Sequence, residues 1–342
     1  MLQPDMSQPA ARDERTAVSR FPREVLRLSE EPCRYWSDRQ VHNALSADPR
    51  GFIRFMSDGV RAVADGSARI DMPPKQIFAD REGEGDFRIM PCVLRWGDRH
   101  WKTVKVVGTN NMQRIVPGQV TVGKALVLHP QENFVAEMFD ACILSSARTG
   151  ACAVIAAMAL ATPRERVAIV GSGRVGYYSA LYLCAQGGVS RLAFHDAVAQ
   201  RAANAARALA AHYPHIEFSA GSGVTDADLV VLATTSTRPL LHPDSTSAAV
   251  VVSLGADTDD QRELDPAWRQ AADLYVESVD SLRYGDLRDW GVTPGEVTEL
   301  TDIFGSGRRV SGRRSVFVST GSALFDNLAI GYLLENPDLA GT

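Results

Sequence analysis

An apolar strand, Val167-Ala168-Ile169-Val170, runs straight into Gly171-Ser172-Gly173-Arg174-Val175-Gly176, and the residues that follow read as a helix. In that strand–turn–helix setting a G-x-G-x-x-G run restricts the fold far more than it would alone. Gly171 permits the tight turn, Gly173 lets backbone approach a pyrophosphate, and Gly176 lets the helix pack on the strand. Ser172, Arg174 and Val175 lie in the same turn and first helical turn, where free N–H groups face a phosphate. The next strand ends in Asp196, 20 residues after Gly176. A carboxylate there accepts hydrogen bonds from a ribose diol and repels a 2′-phosphate, which points to NAD rather than NADP. Arg201, further along, softens that preference. The alternative is a glycine turn without a ligand and a helix-capping aspartate.

Downstream, short apolar strands (RLAFHD, IEFSA, DLVVLATT, AAVVVSLGA, DLYVES) alternate with helical segments. That alternation specifies a doubly wound parallel sheet. Thr234, Thr235 and Ser236 end the fourth strand, and ligands of such sheets sit outside the carboxyl ends of strands. These hydroxyls therefore border the nicotinamide side or form a polar strand-end turn. Upstream, Ser37 to Ala64 is helical, and Met72 to Val107 is extended with a hairpin-like break at Glu82–Gly85. A small-residue helix follows from about Ser145, stopped by Pro163. The closing strand and helix, RSVFVSTGSALFDNLAIGYLLE, have no successor and are expected to cross back. The expected architecture is α/β: a Rossmann-type doubly wound sheet (145–314) inserted into a discontinuous α+β substrate and dimerisation domain (25–144 plus 315–342). Residues 1–24 lack the apolar core of a signal peptide and read as a mobile tail.

Composition narrows the function classes. The chain has 342 residues, enough for about two domains, with 45% apolar and 23% charged residues. Thirty-six basic against 41 acidic residues, without a dense basic run, disfavour a dedicated nucleic-acid binder. No apolar run reaches the roughly 18 residues of a membrane span. The five cysteines show no C-x-x-C spacing and the seven histidines no metal-ligand spacing. The expectation is a cytoplasmic protein with reduced thiols and no metal.

Four pieces outside the glycine turn are informative as a set: Arg88-Ile89-Met90-Pro91, Lys105 in TVKVVGTNN, Arg148-Thr149-Gly150, and Gly255-Ala256-Asp257. With the glycine turn and the closing STGSALFDN, their order resembles the ornithine cyclodeaminase/mu-crystallin family over roughly Met72 to Leu328. The segment ILSSARTGACAVIAA looks like the N-(1-amino-1-carboxyethyl)glutamate dehydrogenase branch, which makes 2,3-diaminopropionate. The resemblance implies an amino acid oxidised at Cα by hydride transfer to NAD, through an imine that is hydrolysed, cyclised or, in reverse, reduced. It implies that Lys75, Lys105 and Arg148 hold the α-carboxylate, with Lys105 next to the reacting nitrogen. Thr149 would contact a cofactor phosphate, and Asp257 would be the acid/base. A homodimer joined through the strand-rich first domain is also implied.

Elementary chemistry supports those roles. A substrate carboxylate needs fixed cations, and an arginine fork supplies two parallel hydrogen bonds. Hydride leaves Cα only from a neutral amine, which requires a nearby base such as Asp257. A lysine close by would keep Asp257 ionised. Otherwise Lys105 is a solvent-facing strand residue and Asp257 one of several turn acids. Arg148 opens a helix against its dipole, which disfavours a purely structural role. One departure bears on substrate: the cyclodeaminase branch carries glutamate where this chain has Arg88, on the same strand face as Met90. Both are expected to contact substrate, and the guanidinium favours a second acidic group or an α-keto acid partner. Arg88 could instead point away or pair with Glu82 or Glu84. Gly150, where alanine is usual, is expected to cost helix stability but no chemistry. Segment 108–123 also deviates from the family, and Arg114 in it is a further candidate anion contact. The leading expectation is an NAD-dependent amino-acid dehydrogenase or imine reductase. A cyclodeaminase lyase and a non-catalytic binding protein are the alternatives.

Overall fold

Gly97, at φ +62°, and Asp98 close a two-residue hairpin between two 12-residue strands, β4 and β5 of a mostly antiparallel sheet. The computed structural model describes residues 31–79, 85–110, 113–160, 163–221, 224–306 and 312–341. The sheet's strands are β1 (Arg34–Trp36), β2 (Ala68–Asp71), β3 (Gln76–Ala79), β4 (Gly85–Trp96), β5 (Arg99–Asn110), β6 (Thr121–Leu128) and β7 (Val135–Asp140). They pair in the order β1-β7-β6-β5-β4-β2, with β3 also on β4. Only the β1–β7 pairing is parallel. Residues directly opposite in an antiparallel ladder share a face. Met90, Lys105, Ala125 and Phe139 are opposite one another in turn and are all buried. Ile89, Val106 and Lys124, one step along, face the other way.

Helices cover only the buried face. Ser37 and Gln40 form a capping box on α1 (Asp38–Ala47), and Asp48 with Pro49 opens α2 (Pro49–Ala64). The long α3 (Ala141–Ala159) has the length and apolarity of a membrane span, yet 83% of its most apolar window lies inside the fold. It is the central core helix. It crosses α4 (Arg174–Gln186) so closely that a Cβ on Gly150 would lie 2.7 Å from the Ser179 nitrogen. Gly150 is therefore a packing requirement of that crossing, a role its helix propensity alone does not reveal.

The second sheet is wholly parallel. Its strands are β8 (Arg166–Val170), β9 (Arg191–His195), β10 (Glu217–Ala220), β11 (Leu229–Leu232), β13 (Val250–Ser253), β15 (Ala272–Val276), β16 (Val297–Glu299) and β17 (Arg314–Val318). They run in the order β10-β9-β8-β11-β13-β17-β15-β16. Every residue of β11 and β13 is buried, as in a sheet covered on both faces. The chain leaves β8 toward β9 and β10, with α5 (Ala199–Ala210) between those two strands, and returns to β11 on β8's other side. The carboxyl ends of β8 and β11 thus form the topological switch point where ligands of such sheets bind.

Two features depart from the sequence reading. β17 lies between β13 and β15 in the middle of the parallel sheet. Only the helix after it, α6 (Ala323–Glu335), crosses to pack on β4 and β5. The strands β12 (Thr237–Leu241) and β14 (Arg262–Leu264) form a separate two-stranded parallel ribbon, which the sequence pattern had not suggested.

Candidate active site

The glycine turn has the shape its sequence requires. Gly171 sits at φ +96°. A Cβ on Gly176 would meet the Gly171 carbonyl at 1.9 Å, while one on Gly173 would meet nothing within 4 Å. Gly173 is the N-cap of α4, and among the described residues no side chain caps that end. The open space at Gly173 and the uncapped N–H groups of Arg174 and Val175 fit a pyrophosphate. Asp196, just past β9, accepts from the Ser172 and Val198 nitrogens at 2.9 and 2.8 Å. A carboxylate offers about four lone-pair sites, so acceptor capacity remains for a ribose diol. Arg201 is exposed.

Next to this turn lies a cavity of about 1000 Å³ between the two sheets. Val175 from the glycine motif, Thr234 and Thr235 after β11, and Asp257 after β13 line one side. Ser145, Arg148 and Thr149 of α3 and Arg88, Met90 and Lys105 of the antiparallel sheet line the other, with Lys75 just before β3. The strand register accounts for that second wall: Arg88 and Met90 share a face by period two, and Met90 is opposite Lys105. The cavity therefore gathers Lys75, Arg88, Met90, Lys105, Arg148, Thr149, Val175, Thr234, Thr235 and Asp257. Gly171, Ser172, Gly173, Arg174, Gly176, Asp196 and Ser236 are outside its lining, as are the exposed Arg114 and His195, whose carbonyl accepts from Gly171.

The charges are arranged in two groups. Lys105 is buried and its Nζ donates to Asp326 at 2.8 Å. Arg148 is also buried, with Nε 2.9 Å from the same Asp326. Among the described residues, Arg148 Nη1 has no hydrogen-bond partner. In the second group, Arg88 donates to both oxygens of Asp86 at 2.8 and 3.1 Å and to Asp257 at 2.5 Å. Burial would raise the half-buried Asp257 carboxyl, but the Arg88 and Lys75 cations outweigh it and hold that carboxyl below the usual range. Lys75 donates to the Thr320 carbonyl at 2.6 Å and stands 4.2 Å over the Tyr284 ring. Burial brings its pKa down to about 8. Burial likewise pushes Lys105 down, against the pull of Asp326.

Arg88 thus faces the cavity, but with its guanidinium taken up by two carboxylates. A substrate carboxylate would have to displace one of them, which removes the reason to expect a second acidic group. Glu82 and Glu84, the other suggested partners, lie outside the described residues. Thr149 Oγ1 bonds back to the Ser145 carbonyl, and Thr234 Oγ1 donates to Glu263. Sequence reasoning missed the anionic half of the site: Asp86, Asp326, Glu263 and Glu277. Glu277 accepts from the Gly321 and Ser322 nitrogens and so holds the turn that carries Thr320. Asp86, two residues before Arg88 on one strand face, and Asp326, an acid inside an apolar helix, carried usable signals.

A model of the ornithine cyclodeaminase/mu-crystallin family matches residues 40–338. Over 273 residues the chain is 29% identical to the Delta(1)-pyrroline-2-carboxylate/Delta(1)-piperideine-2-carboxylate reductase of Azospirillum brasilense, covering 78% of this chain and 85% of that one. Among solved structures, a Thermococcus litoralis Delta(1)-pyrroline-2-carboxylate reductase in complex with NADH and L-proline superposes with a TM-score of 0.77 at 20% identity. That match covers 89% of this chain and 98% of the other. An archaeal alanine dehydrogenase dimer with bound NAD gives 0.78 at 20% identity, covering 91% and 97%. These relatives are imine reductases and an amino-acid dehydrogenase, so they leave the 2,3-diaminopropionate branch without support.

Proposed function

Because the chain belongs to the ornithine cyclodeaminase/mu-crystallin family, we propose that it is an NAD-dependent oxidoreductase of the Cα–N bond of an α-amino acid, reducing an imine beside a carboxylate or running in reverse. The observation that carries this reading is the convergence of Lys75, Lys105, Arg148 and Asp257 on the cavity that begins at the glycine motif. The A. brasilense reductase and the NADH-bound T. litoralis enzyme support the cofactor and the reaction class.

A bound nicotinamide dinucleotide supplies the hydride exchanged with Cα. The chain supplies the rest. Arg148 and Lys75 orient the substrate carboxylate, and Lys105 stands at its nitrogen. Asp257, held ionised by Arg88, balances the positive charge of a protonated imine and relays a proton between that nitrogen and water. Arg88 acts as the partner of Asp257. Beside the acidic Asp86, Asp259 and Asp260, the uncharged Ile77, Val107, Val120, Thr109 and Thr121 line the cavity, which fits a substrate with one carboxylate and a neutral side chain. Cyclic imino acids such as those named for the A. brasilense relative meet that description.

The antiparallel sheet presents its other face to solvent. Phe87 and Phe78 stack there at 4.7 Å while 47% and 43% exposed, and Val106 is 38% exposed. We propose that a second copy of the chain covers this face, as apolar patches of this kind commonly require a partner.

The test is consumption of NADH with Delta(1)-pyrroline-2-carboxylate, Delta(1)-piperideine-2-carboxylate, pyruvate plus ammonia, and one imino acid with a second carboxylate. Turnover of a single-carboxylate substrate is expected. Silence across the panel and with amino acids plus NAD overturns the reading. Ammonia release from diamino acids without net NADH would mark a cyclodeaminase instead.

A further inference from the structure

Glu263 is fully buried and no cation pairs with it among the described residues. Its carboxylate instead accepts four hydrogen bonds. Oε1 receives the Thr234 nitrogen at 2.6 Å and the Thr234 hydroxyl at 2.8 Å. Oε2 receives the Gly255 nitrogen and the Ser253 hydroxyl, each at 2.8 Å. Thr234 begins the turn after β11 at the switch point, and Gly255 begins the turn that carries Asp257. One carboxylate therefore joins the two turns on which the proposed reaction depends.

The surroundings leave these turns no slack. A Cβ on Gly255 would lie 2.0 Å from the Thr234 carbonyl, and one on Gly171 would lie 2.2 Å from the Ala233 carbonyl. The glycine turn, the Thr234 turn and the Gly255 turn are thus stacked backbone on backbone. Behind Glu263, Asp286 accepts from the Glu263 and Leu264 nitrogens at 2.9 and 3.1 Å and lies 3.1 Å from the Ser253 hydroxyl. Ser253 has one hydroxyl proton for two carboxylates. The pair is satisfied when Asp286 keeps its own proton and donates it to Ser253, which donates to Glu263. The ribbon of β12 and β14 delivers Glu263 to this position.

We propose that Glu263 is a positioning residue of the active site, tying the Thr234 turn to the Gly255 turn so that Asp257 is fixed relative to the dinucleotide crevice. This inference rests on the function proposed above.

Glu263→Gln tests it, because an amide must turn an N–H toward at least one of the donors that the carboxylate now accepts. Three readouts are taken on the full chain. Amide hydrogen exchange is expected to accelerate about tenfold or more at both Thr234 and Gly255. NADH affinity, read by fluorescence, is expected to fall about tenfold. In turnover, kcat is expected to drop about a hundredfold, with KM for the imino acid retained. Unchanged exchange at both amides overturns the strut, and changed exchange with wild-type kcat and NADH affinity overturns the positioning role. Should Glu263→Gln fail to fold, Thr234→Val removes one of the four bonds without burying an amide. It is expected to move the same readouts less, and wild-type values there overturn the proposal. Failure of the function reading shows separately, as an unaltered protein that turns over no imino acid. Exchange and NADH binding then still decide for or against Glu263.

Discussion

Two buried lysines give the site its pH dependence: burial pushes Lys105 down to about 8 as well, and Lys75 is the one proposed to hold the substrate carboxylate. Burial takes its pKa from 10.5 to about 8, so it carries its charge below that pH and loses it above. A cation that orients a carboxylate must be charged, so kcat/KM is expected to be flat below pH 8 and to fall as pH rises through it. A profile that stays level to pH 10 would remove Lys75 from substrate binding. The stability sign is opposite: the cost of protonating a buried lysine is fully present below about pH 8 and is relieved as pH rises toward 10.5. Asp326 sets a second expectation, since among the described residues it pairs with both Lys105 and Arg148 in the interior. Asp326→Asn is expected to cost about 3–5 kcal/mol of stability, read by urea unfolding. Activity should fall with it, and a neutral result would mean that the two cations have another counter-charge. The cations themselves were legible in the sequence because they stand in recognisable local motifs. Which counter-ion each of them meets was not. Lys105 and Asp326 are 221 residues apart, and nothing local to an aspartate in an apolar helix says which cation it meets.

At the level of elements, the close crossing of α3 and α4 is the sharpest test of packing. Gly150→Ala gains up to about 1 kcal/mol of helix propensity. It also drives a methyl group against the Ser179 and Tyr178 backbone, and overpacking of this kind costs about 1–3 kcal/mol. A net loss of stability is expected from the urea midpoint, and a gain would show that the helices can separate freely. Periodicity made most elements readable, because alternating burial along β4 and continuous burial in β11 are properties of short windows. Sheet order is not such a property. β17 reads as apolar wherever it sits, and only its register against β13 and β15 reveals that it completes the parallel sheet. The β12–β14 ribbon is shorter still, and its apolar content is too small to announce a pairing.

For the whole molecule, the solvent-facing side of the antiparallel sheet makes association the testable property. Phe87→Asp is expected to yield monomers at concentrations where the unaltered protein sediments as a dimer, and to lower its thermal midpoint through lost association. An unaltered protein that sediments as a monomer would refute the assembly. The position of β17 has a different consequence. Without Arg314–Val318, β13 and β15 have no common neighbour, and without the helix that follows, Lys105 and Arg148 lack Asp326. Until residues 314–335 are in place, both halves of the fold are therefore unfinished. Neither half can mature ahead of the other, and refolding kinetics should show both becoming protected from proteases together.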